Sequence, residues 1–286
     1  MNRNSTLITY KDLLCCPKCQ TGVEPVHDEL VCRGCQQHWK IIDSRPDFRT
    51  GDIPTSTDSI LQQELMINSS WRTRILKTGQ KLINSDYTPV NHLNNFISSL
   101  PPEAITAELG SGNRRLLPQI INVDISPFPN VDILANIQQP PFFPASFDAV
   151  IMDTVLEHVP EPHTLVNAVH RILKPGGRVI CISPFLFPYH GYPLHYNNFS
   201  RDGLKYLFRH FSDCTVEMNI GPTCALTHII SEYFALIFSA HNKLSYTVLK
   251  GFFLLPIFWL KYIDNFWRTS MTAHAISSHL CALAKK

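Results

Sequence analysis

Four cysteines near the N terminus have the type and spacing of a metal site. Cys16 and Cys19 form one Cys-x-x-Cys pair, Cys32 and Cys35 form a second, and twelve residues separate the pairs. Four thiolates arranged in two such knuckles complete a tetrahedral Zn²⁺ site with no open position. A region of about 40 residues can hardly bury enough apolar surface unaided, so a metal staple is expected. The cysteines therefore predict a structural zinc ribbon; free cysteines in a small core are the alternative, which fits two regular pairs poorly.

A second candidate site follows a short predicted strand at residues 105–109. The strand leads directly into Gly110-Ser111-Gly112. Glycine has no Cβ and tolerates positive φ, so the backbone can come close to a ligand at such a turn. In an α/β sheet this turn lies at the carboxyl end of a strand, where ligands bind. We therefore expect a ligand site at residues 110–112.

An acidic residue ends the next predicted strand and helps to choose the ligand. Asp124 closes the apolar run 120–125, and a carboxylate there can accept hydrogen bonds from both ribose hydroxyls. A dinucleotide would also require a third glycine and a helix N-terminus against its pyrophosphate. Arg115 stands at the third glycine position, and Pro118 leaves little room for a long helix. S-adenosylmethionine has no phosphate and needs neither feature, so the sequence favours this methyl donor.

The elements that must position these residues alternate between strands and helices. Prolines exclude a helix over residues 126–130, so the second crossover is expected to be a loop. We predict a Rossmann-like α/β fold with a seven-stranded sheet. The predicted strands are 105–109, 120–125, 131–135, 147–153, 178–184, 214–220 and 277–285, with helices at 90–100, 161–173 and 202–211 and a turn at 174–177.

The N-terminal region resembles a known small zinc-ribbon family. Residues 14–19 read Leu-Cys-Cys-Pro-Lys-Cys, residues 30–35 read Leu-Val-Cys-Arg-Gly-Cys, and residues 39–48 read Trp-Lys-Ile-Ile-Asp-Ser-Arg-Pro-Asp-Phe. These segments resemble the family that includes an activator subunit of tRNA and protein methyltransferases. Ser44 and Arg45 stand where that family usually has Gly-Ile. By itself, the ribbon would suggest a binding or adaptor module.

Residues 103–220 resemble the class I S-adenosylmethionine-dependent methyltransferases of the type-11 group. The resemblance depends on five segments in the right order: 108–112 (Glu-Leu-Gly-Ser-Gly), 123–124 (Val-Asp), 146–150 (Ser-Phe-Asp-Ala-Val), 155–159 (Val-Leu-Glu-His-Val) and 171–177 (Arg-Ile-Leu-Lys-Pro-Gly-Gly). It implies that the last strand pairs antiparallel between the fifth and the sixth. It also implies that Glu108 reaches the methionine end of the cofactor and that Asp124 holds the ribose. It also implies that Asn136 lies near the adenine, where the family usually has Asp. The implied cofactor-binding residues are Glu108, Gly110, Ser111, Gly112, Asp124, Ile125, Asn136, Asp153 and Val155.

The loop at residues 184–200 resembles a subgroup whose loop overhangs the methyl group. His190 occupies the usual histidine position, whereas His195 stands where Asp is common. Methyl transfer is an in-line displacement, and a base is needed only when the acceptor must lose a proton. A histidine can accept that proton near neutral pH, so His190 is the first candidate for a catalytic base and His195 the second. The alternative, that both residues only pack the loop, is equally weighted.

The region 222–273 is rich in Leu, Ile, Phe and Trp. The most apolar run, residues 248–260, is shorter than the ~20 residues of a membrane-spanning helix and contains Lys250 and Pro256. We predict a helical insertion between the last two strands that caps the acceptor pocket. Peripheral contact with a membrane, or a lipid-like acceptor, is the alternative.

Composition narrows the classes of function. The chain has 286 residues, a net charge of +2 and nine cysteines, five of them clustered in the ribbon. The small charge does not favour nucleic acid, and the absence of an opening apolar signal favours a reducing cytoplasm.

We predict a zinc ribbon over 1–50, a linker and covering helices over 51–100 including an apolar helical stretch at 60–83, and a methyltransferase domain over 101–286.

We therefore expect a cytoplasmic methyltransferase that acts on a small-molecule or lipid-like acceptor, with a membrane-peripheral location as the alternative. One rival is an RNA methyltransferase that grips RNA through Lys18, Arg33, Lys40, Arg45 and Arg49 of the ribbon. A second rival is a non-catalytic binding or adaptor protein that has retained the fold alone.

Overall fold

The structure, a computed structural model, describes residues 10–50, 86–191 and 194–286. The predicted linker start and the apolar helical stretch at 60–83 lie outside the described residues. The division into regions 1–50, 51–100 and 101–286 remains a prediction.

The N-terminal region forms four antiparallel strands: β1 (Val23–Val26), β2 (Glu29–Cys32), β3 (His38–Ile42) and β4 (Arg45–Asp47). The turn between β3 and β4 has Asp43 and Ser44 at φ of 50° and 63°. Two consecutive residues with positive φ fit the twist of a tight hairpin, which usually favours glycine. Ser44 makes this turn without glycine, and the chain continues into the short strand β4, which the sequence analysis did not predict.

Seven further strands build the predicted α/β sheet: β5 (Thr106–Leu109), β6 (Ile121–Asp124), β7 (Ile133–Leu134), β8 (Phe147–Asp153), β9 (Leu173–Pro184), β10 (Asp213–Ile220) and β11 (His279–Lys285). Their spatial order is β7-β6-β5-β8-β9-β11-β10. Strands β5 to β9 pair in parallel, and β11 pairs antiparallel with both β9 and β10. The α/β fold class and the position of the last strand are therefore confirmed.

Within the residues that the structure describes, the sheet has eleven strands rather than seven. β4 pairs in parallel with β7 at Asp47 and Leu134, and the Phe48 amide donates to the Leu134 carbonyl at 2.7 Å. An exposed edge of a sheet leaves backbone hydrogen-bonding groups unpaired, and each of these two edges supplies partners for the other. The ribbon strands therefore extend the α/β sheet, which the spacing of the motifs did not indicate.

Five α-helices lie within the described residues: α1 (His92–Ser98), α2 (Pro162–Ile172), α3 (Arg201–Leu207), α4 (Pro222–Phe238) and α5 (Lys243–Leu254). α2 follows β8 and buries Leu165, Val166, Val169 and Ile172 at helical spacing. No described residue between β5 and β7 is helical, in agreement with the prolines at positions 118, 127 and 129. The first two crossovers are therefore loops, and these loops border the carboxyl ends of β5 and β6.

The predicted turn at 174–177 belongs to strand β9 instead. The pairing of β8 with β9 shifts register between Phe147 and Ala149, so that this turn sequence is accommodated as a bulge. The Gly176 amide donates to the Lys286 carbonyl at 3.0 Å, and the Lys286 amide donates to the Gly177 carbonyl at 2.9 Å. Pairing with the end of the chain thus extends the strand through a sequence that is locally typical of a turn.

Helices α4 and α5 and a 3₁₀ helix (Phe258–Trp267) lie between β10 and β11, where the insertion was predicted. In the described part of the chain, no single helix combines the length and hydropathy of a membrane span. The segments Ser245–Leu254 and Phe258–Trp267 meet that criterion only as a pair, with a bend of 54° between them. Pro256 lies at this break.

Candidate functional site

A cavity of about 420 Å³ opens at the carboxyl ends of β5, β6 and β8. This volume lies within the usual range for small-molecule sites. Eight of the nine predicted cofactor-binding residues line the cavity, and Glu108 is the exception. The lining residues from that set are Gly110, Ser111, Gly112, Asp124, Ile125, Asn136, Asp153 and Val155.

Gly110 is required by both its conformation and its surroundings. Its φ is +74°, and a Cβ atom at this position would lie 2.5 Å from Cγ2 of Val155. A side chain is therefore excluded by the close approach of the β5 and β8 ends. The Gly-x-Gly turn brings backbone, rather than side chains, to the wall of the cavity.

Asp124 is held in place at the end of β6 by backbone amides. Its Oδ2 accepts from the Gly112 amide at 2.8 Å, and its Oδ1 accepts from the Ser126 amide at 2.8 Å. Burial raises the pKa of the Asp124 carboxyl, and these amide hydrogen bonds oppose that shift. Each oxygen keeps a lone pair, so the carboxylate can still accept hydrogen bonds from a ligand in the cavity.

Arg114 joins the two carboxylates at the ends of β5 and β8. Its Nε donates to Glu108 Oε1 at 2.6 Å, and its Nη1 donates to Asp153 Oδ2 at 2.5 Å. Glu108 is buried, so burial raises its pKa, and the neighbouring Arg114 opposes that change. Arg114 itself lines the cavity. In this structure Glu108 therefore acts on the cavity through Arg114, a residue to which the sequence analysis gave no role.

Asn136 follows β7 and lines the cavity, as the resemblance implied. Its Oδ1 accepts from the Gln138 amide at 3.0 Å, so one lone pair orders the local turn. The second lone pair of Oδ1 and the two amide hydrogens remain for a ligand.

The two candidate bases lie beside the cavity rather than in its wall. His158 does line the cavity, and its ring lies 5.2 Å from that of His190 and 6.1 Å from that of His195. Both ring nitrogens of His195 are engaged: Nδ1 accepts from the His190 amide at 3.2 Å, and Nε2 lies 2.7 Å from Asn198 Oδ1. His195 therefore has no free lone pair for an acceptor proton in this arrangement.

Burial lowers the pKa of His158, so its imidazole is neutral near pH 7. The sequence analysis quoted this residue only as part of a motif and assigned it no role. The signal that was available is its place directly after a buried acid, Glu157, behind β8. Phe128, Leu194 and Tyr196 also line the cavity without having been predicted. They come from loops, for which the sequence offers no periodic pattern.

The four ribbon cysteines form one cluster. Their sulfur atoms all lie within 4.8 Å of one another. The Cys16 and Cys35 sulfurs are 3.8 Å apart, and the Cys19 and Cys32 sulfurs are 3.3 Å apart. Thiolates at 2.3 Å from a tetrahedral Zn²⁺ lie about 3.8 Å apart, so the donor set and its dimensions are compatible with zinc. Cys15 lies outside this cluster and is buried.

Comparison with known proteins finds a family that matches part of the α/β sheet. Residues 108–181 match the model of a methyltransferase domain. Thirty-six residues are 50% identical to a ubiquinone biosynthesis O-methyltransferase of Pseudomonas paraeruginosa and 53% identical to that of Xylella fastidiosa. These matches cover 13% of this chain and 16% and 15% of the relatives. The chain thus spans about a sixth of the length of the curated relatives that it matches.

Solved structures of S-adenosylmethionine-dependent methyltransferases are similar at low identity. One from Thermotoga maritima is 16% identical and has a TM-score of 0.45, covering 75% of this chain and 97% of its own. Another from Archaeoglobus fulgidus is 14% identical and has a TM-score of 0.43, covering 81% and 100%.

The family match spans the strands from β5 to β9 that form the cavity. The parallel order of these strands, with an antiparallel last strand between the fifth and the sixth, is the order that the sequence resemblance implied. Residues 108–181 of this chain therefore match a methyltransferase domain, and the sheet that contains them has the strand order that the resemblance to class I S-adenosylmethionine-dependent methyltransferases implied.

Proposed function

We propose that this protein is a methyltransferase that binds S-adenosylmethionine in the cavity and methylates a small-molecule or lipid-like acceptor. The observation that best supports this proposal is that the backbone of residues 110–112 and the Asp124 carboxylate lie together on one cavity wall. This wall is concave, partly apolar and supplied with a few fixed polar groups, as small-molecule sites usually are.

The bound donor would supply an electrophilic methyl group on a sulfonium. The residues of this chain would bind and orient the donor: Asp124 accepts from the ribose hydroxyls, and Arg114 offers a cation to the carboxylate at the methionine end. Proximity and orientation then provide most of the acceleration. A neutral His158 at the cavity wall can accept a proton from the acceptor, with His190 as the alternative base predicted from the sequence.

Titration calorimetry with S-adenosylmethionine tests this proposal. We expect Asp124→Ala to weaken binding about 10- to 100-fold, because a hydrogen bond to a charged group contributes about 1.5–3 kcal/mol. Asp148→Asn is a matched control, since Asp148 orders the start of β8 through the Ile105 amide and Lys174 and does not line the cavity. Failure of the wild-type protein to bind the donor would support the non-catalytic adaptor instead.

The ribbon cluster supports a proposed structural Zn²⁺ at Cys16, Cys19, Cys32 and Cys35. A closed set of four thiolates stabilises a fold and leaves no position for a substrate. Because β4 of the ribbon pairs with β7 of the α/β sheet, the metal would stabilise one border of the cavity domain. Metal analysis of the purified protein is expected to give at least one zinc per chain.

The lipid-like acceptor is favoured by the outer surface of the helical insertion. Most of the exposed large apolar side chains that the structure describes lie between residues 226 and 276. Phe266 is 80% exposed and Met271 is 89% exposed. An apolar surface of this kind on a single chain usually marks contact with a membrane or another apolar partner.

Charge selects the membrane as the proposed partner. The insertion has two acidic residues, Glu232 and Asp264, and both point inward. Asp264 is fully buried and accepts from the Thr223 amide at 2.7 Å, whereas Glu232 pairs with Lys250. The outer face therefore presents apolar side chains and the exposed Arg268 without an exposed acid, which suits an anionic lipid surface. This supports a cytoplasmic, membrane-peripheral location as part of the proposal.

Vesicle co-sedimentation tests the lipid contact. We expect the wild-type protein to bind vesicles that contain 30% phosphatidylserine, and Phe252→Ser with Phe266→Ser to reduce binding at least tenfold. Tyr206→Ser is the control, because Tyr206 is also exposed but belongs to α3 outside the insertion. Equal binding by the double variant, or no binding by the wild type, would remove the membrane from the proposal.

The contacts of the ribbon arginines argue against the alternative of an RNA methyltransferase. Arg45 donates to the Phe128 carbonyl at 2.8 Å, and Arg49 pairs with Asp47 at 2.7 Å. Arg33 pairs with Glu24. Three of the five basic residues proposed to grip RNA are thus engaged within the protein, which leaves Lys18 and Lys40 as a weak patch.

A further inference from the structure

One buried acid next to the cavity has no hydrogen-bonding partner for its side chain. Glu157 is fully buried, and neither Oε1 nor Oε2 has a donor within hydrogen-bond distance. Its backbone carbonyl accepts from the Tyr196 amide at 2.7 Å, so the loop after β9 is anchored to this residue. A buried carboxylate without a donor or a cation is costly, and its presence beside a ligand cavity requires an explanation.

Two histidines face this carboxylate. Glu157 Oε1 lies 3.8 Å from Nε2 of His158 and 3.7 Å from Nε2 of His190. These separations are too long for direct hydrogen bonds. Ligand atoms of the three side chains all lie within 4.8 Å of one another.

The other ring nitrogens determine what the histidines present to Glu157. His158 Nδ1 lies 2.6 Å from the Leu194 carbonyl oxygen, and His190 Nδ1 lies 3.2 Å from that of Pro188. A carbonyl only accepts, so each Nδ1 carries the proton and each Nε2 of a neutral ring carries a lone pair. Histidine ligands of metal ions are typically fixed in this way, through a backbone carbonyl on the second nitrogen.

We propose that Glu157, His158 and His190 bind a divalent transition-metal ion at the edge of the cavity. Ligands at about 2.1 Å from one tetrahedral ion lie about 3.4 Å apart, so the observed 3.7 and 3.8 Å need to close by only a few tenths of an ångström. Two imidazoles and one carboxylate are a donor set of open, catalytic sites, where further positions remain for water or substrate. His195 holds the His190 backbone through its Nδ1 and is a positioning residue in this arrangement.

This site specifies the acceptor, and that step rests on the proposed function. With the ion bound, Nε2 of His158 and Nε2 of His190 are ligands, so neither histidine acts as a base; a hydroxyl or phenol oxygen that binds the ion has a lowered pKa and releases its proton to solvent. The resulting oxygen lone pair forms the bond to the methyl carbon as the carbon–sulfur bond breaks, and that bonding pair stays on sulfur in S-adenosylhomocysteine. The acceptor class is therefore a metal-chelating hydroxyl compound, and the product is a methyl ether.

Metal titration of the full chain tests the site independently of methyl transfer. After the ribbon has been loaded with zinc, calorimetry with Co²⁺ is expected to show one further site in the wild-type protein. Glu157→Gln and His190→Ala should each weaken it at least tenfold. His274→Gln should have no effect, because His274 is a half-buried histidine after the insertion and does not belong to this cluster.

The two variants distinguish the loss of a metal-binding side chain from unfolding of the protein. Glu157→Gln keeps the volume of a buried side chain, and His190 lies on a half-exposed loop, so at least one variant is expected to retain S-adenosylmethionine binding. Absence of the additional Co²⁺ site, or equal affinity in Glu157→Gln, would overturn the metal proposal. Co²⁺ binding without S-adenosylmethionine binding would instead overturn the proposed methyltransferase and leave the ion site standing.

Discussion

The described part of the chain has two clusters of side chains that could hold a metal ion, and they are built in opposite ways. The ribbon cluster uses four cysteines from two adjacent turns, within twenty residues of sequence, and two of them are exposed. The Glu157 cluster combines neighbours in sequence with a histidine more than thirty residues away. The first has the regular spacing of a closed structural site, and the second depends on how a loop folds over β8.

This difference teaches why one cluster was predicted and the other was not. The ribbon ligands share local backbone geometry, so their spacing alone carries the information. His190 meets Glu157 only because the loop after β9 is anchored by the Tyr196 amide. The same contrast predicts different responses to substitution and to pH.

The largest expected effect is on the ribbon. Cys32→Ser should abolish zinc binding and unfold the region 12–49, because structural zinc contributes about 10–16 kcal/mol to the folding of such small domains. Metal content and circular dichroism measure both consequences. Cys15→Ser is the matched control, since this neighbouring thiol lies outside the cluster. If Cys32→Ser retained stoichiometric zinc, Cys32 would not be a ligand of the proposed structural zinc.

The stability of the folded protein should decrease in mild acid because of the buried His279. Burial lowers the pKa of His279 to about 4; Asp86 opposes this shift, and His190 and His228 reinforce it. The unfolded chain therefore binds more protons than the folded one between pH 6.5 and 4, so stability falls as the pH falls through this window. The expected loss approaches 3 kcal/mol.

Chemical denaturation of the wild-type protein and of His279→Gln at pH 7.5 and pH 5 measures this effect. The variant should lose less stability over that interval, whereas any acid release of ribbon zinc is common to both proteins. An identical pH dependence would mean that His279 is not buried as a neutral side chain.

A smaller effect is expected where Arg114 joins Glu108 to Asp153. Arg114→Ala leaves Glu108 buried without its cation, and we expect a loss of about 1–3 kcal/mol, because a buried polar group loses its partner while Asp153 can be solvated. Thermal unfolding measures the loss. Arg114→Ala with Glu108→Gln should recover part of it, and a double variant no more stable than the single one would contradict this coupling.

The smallest effect has the opposite sign. Burial raises the pKa of Asp124, so the ionised form is penalised in the folded state and stability decreases as the pH rises through the window between the unfolded and folded pKa values. Asp124→Asn should therefore lose this decrease of stability with rising pH, a change of up to about 1 kcal/mol, although its single acceptor oxygen leaves one of the two backbone amides unpaired. Its affinity for S-adenosylmethionine should fall. A variant with the pH dependence of the wild type would show that burial of the Asp124 carboxyl does not set this slope.

Much of the α/β fold could be predicted because each strand is an apolar run bounded by turn residues, a pattern that is visible in the local sequence. The seven strands from β5 to β11 lie close to their expected positions, and β8 matches its predicted bounds. The turn at 174–177 was predicted wrongly, because local glycine and proline signals cannot register the hydrogen bonds that Lys286 supplies from the far end of the chain. The pairing of β4 with β7 escaped prediction for the same reason.

The sequence alone determined the chemistry that depends on local order. Gly110 and Gly112 follow a strand, Asp124 ends the next one, and the cysteines form two regular pairs, so each pattern could be recognised before any contact was known. These features predicted the class of fold, the residues of a methyl-donor site and the donor set of the ribbon.

Only the tertiary structure decided which groups meet across the chain. It placed Arg114 against Glu108, brought His158 to the cavity wall, and left the Glu157 carboxylate facing two histidine nitrogens. The physical reason is that desolvation and hydrogen-bond pairing depend on neighbours in space. Sequence spacing reports these neighbours only when a single turn or strand contains them.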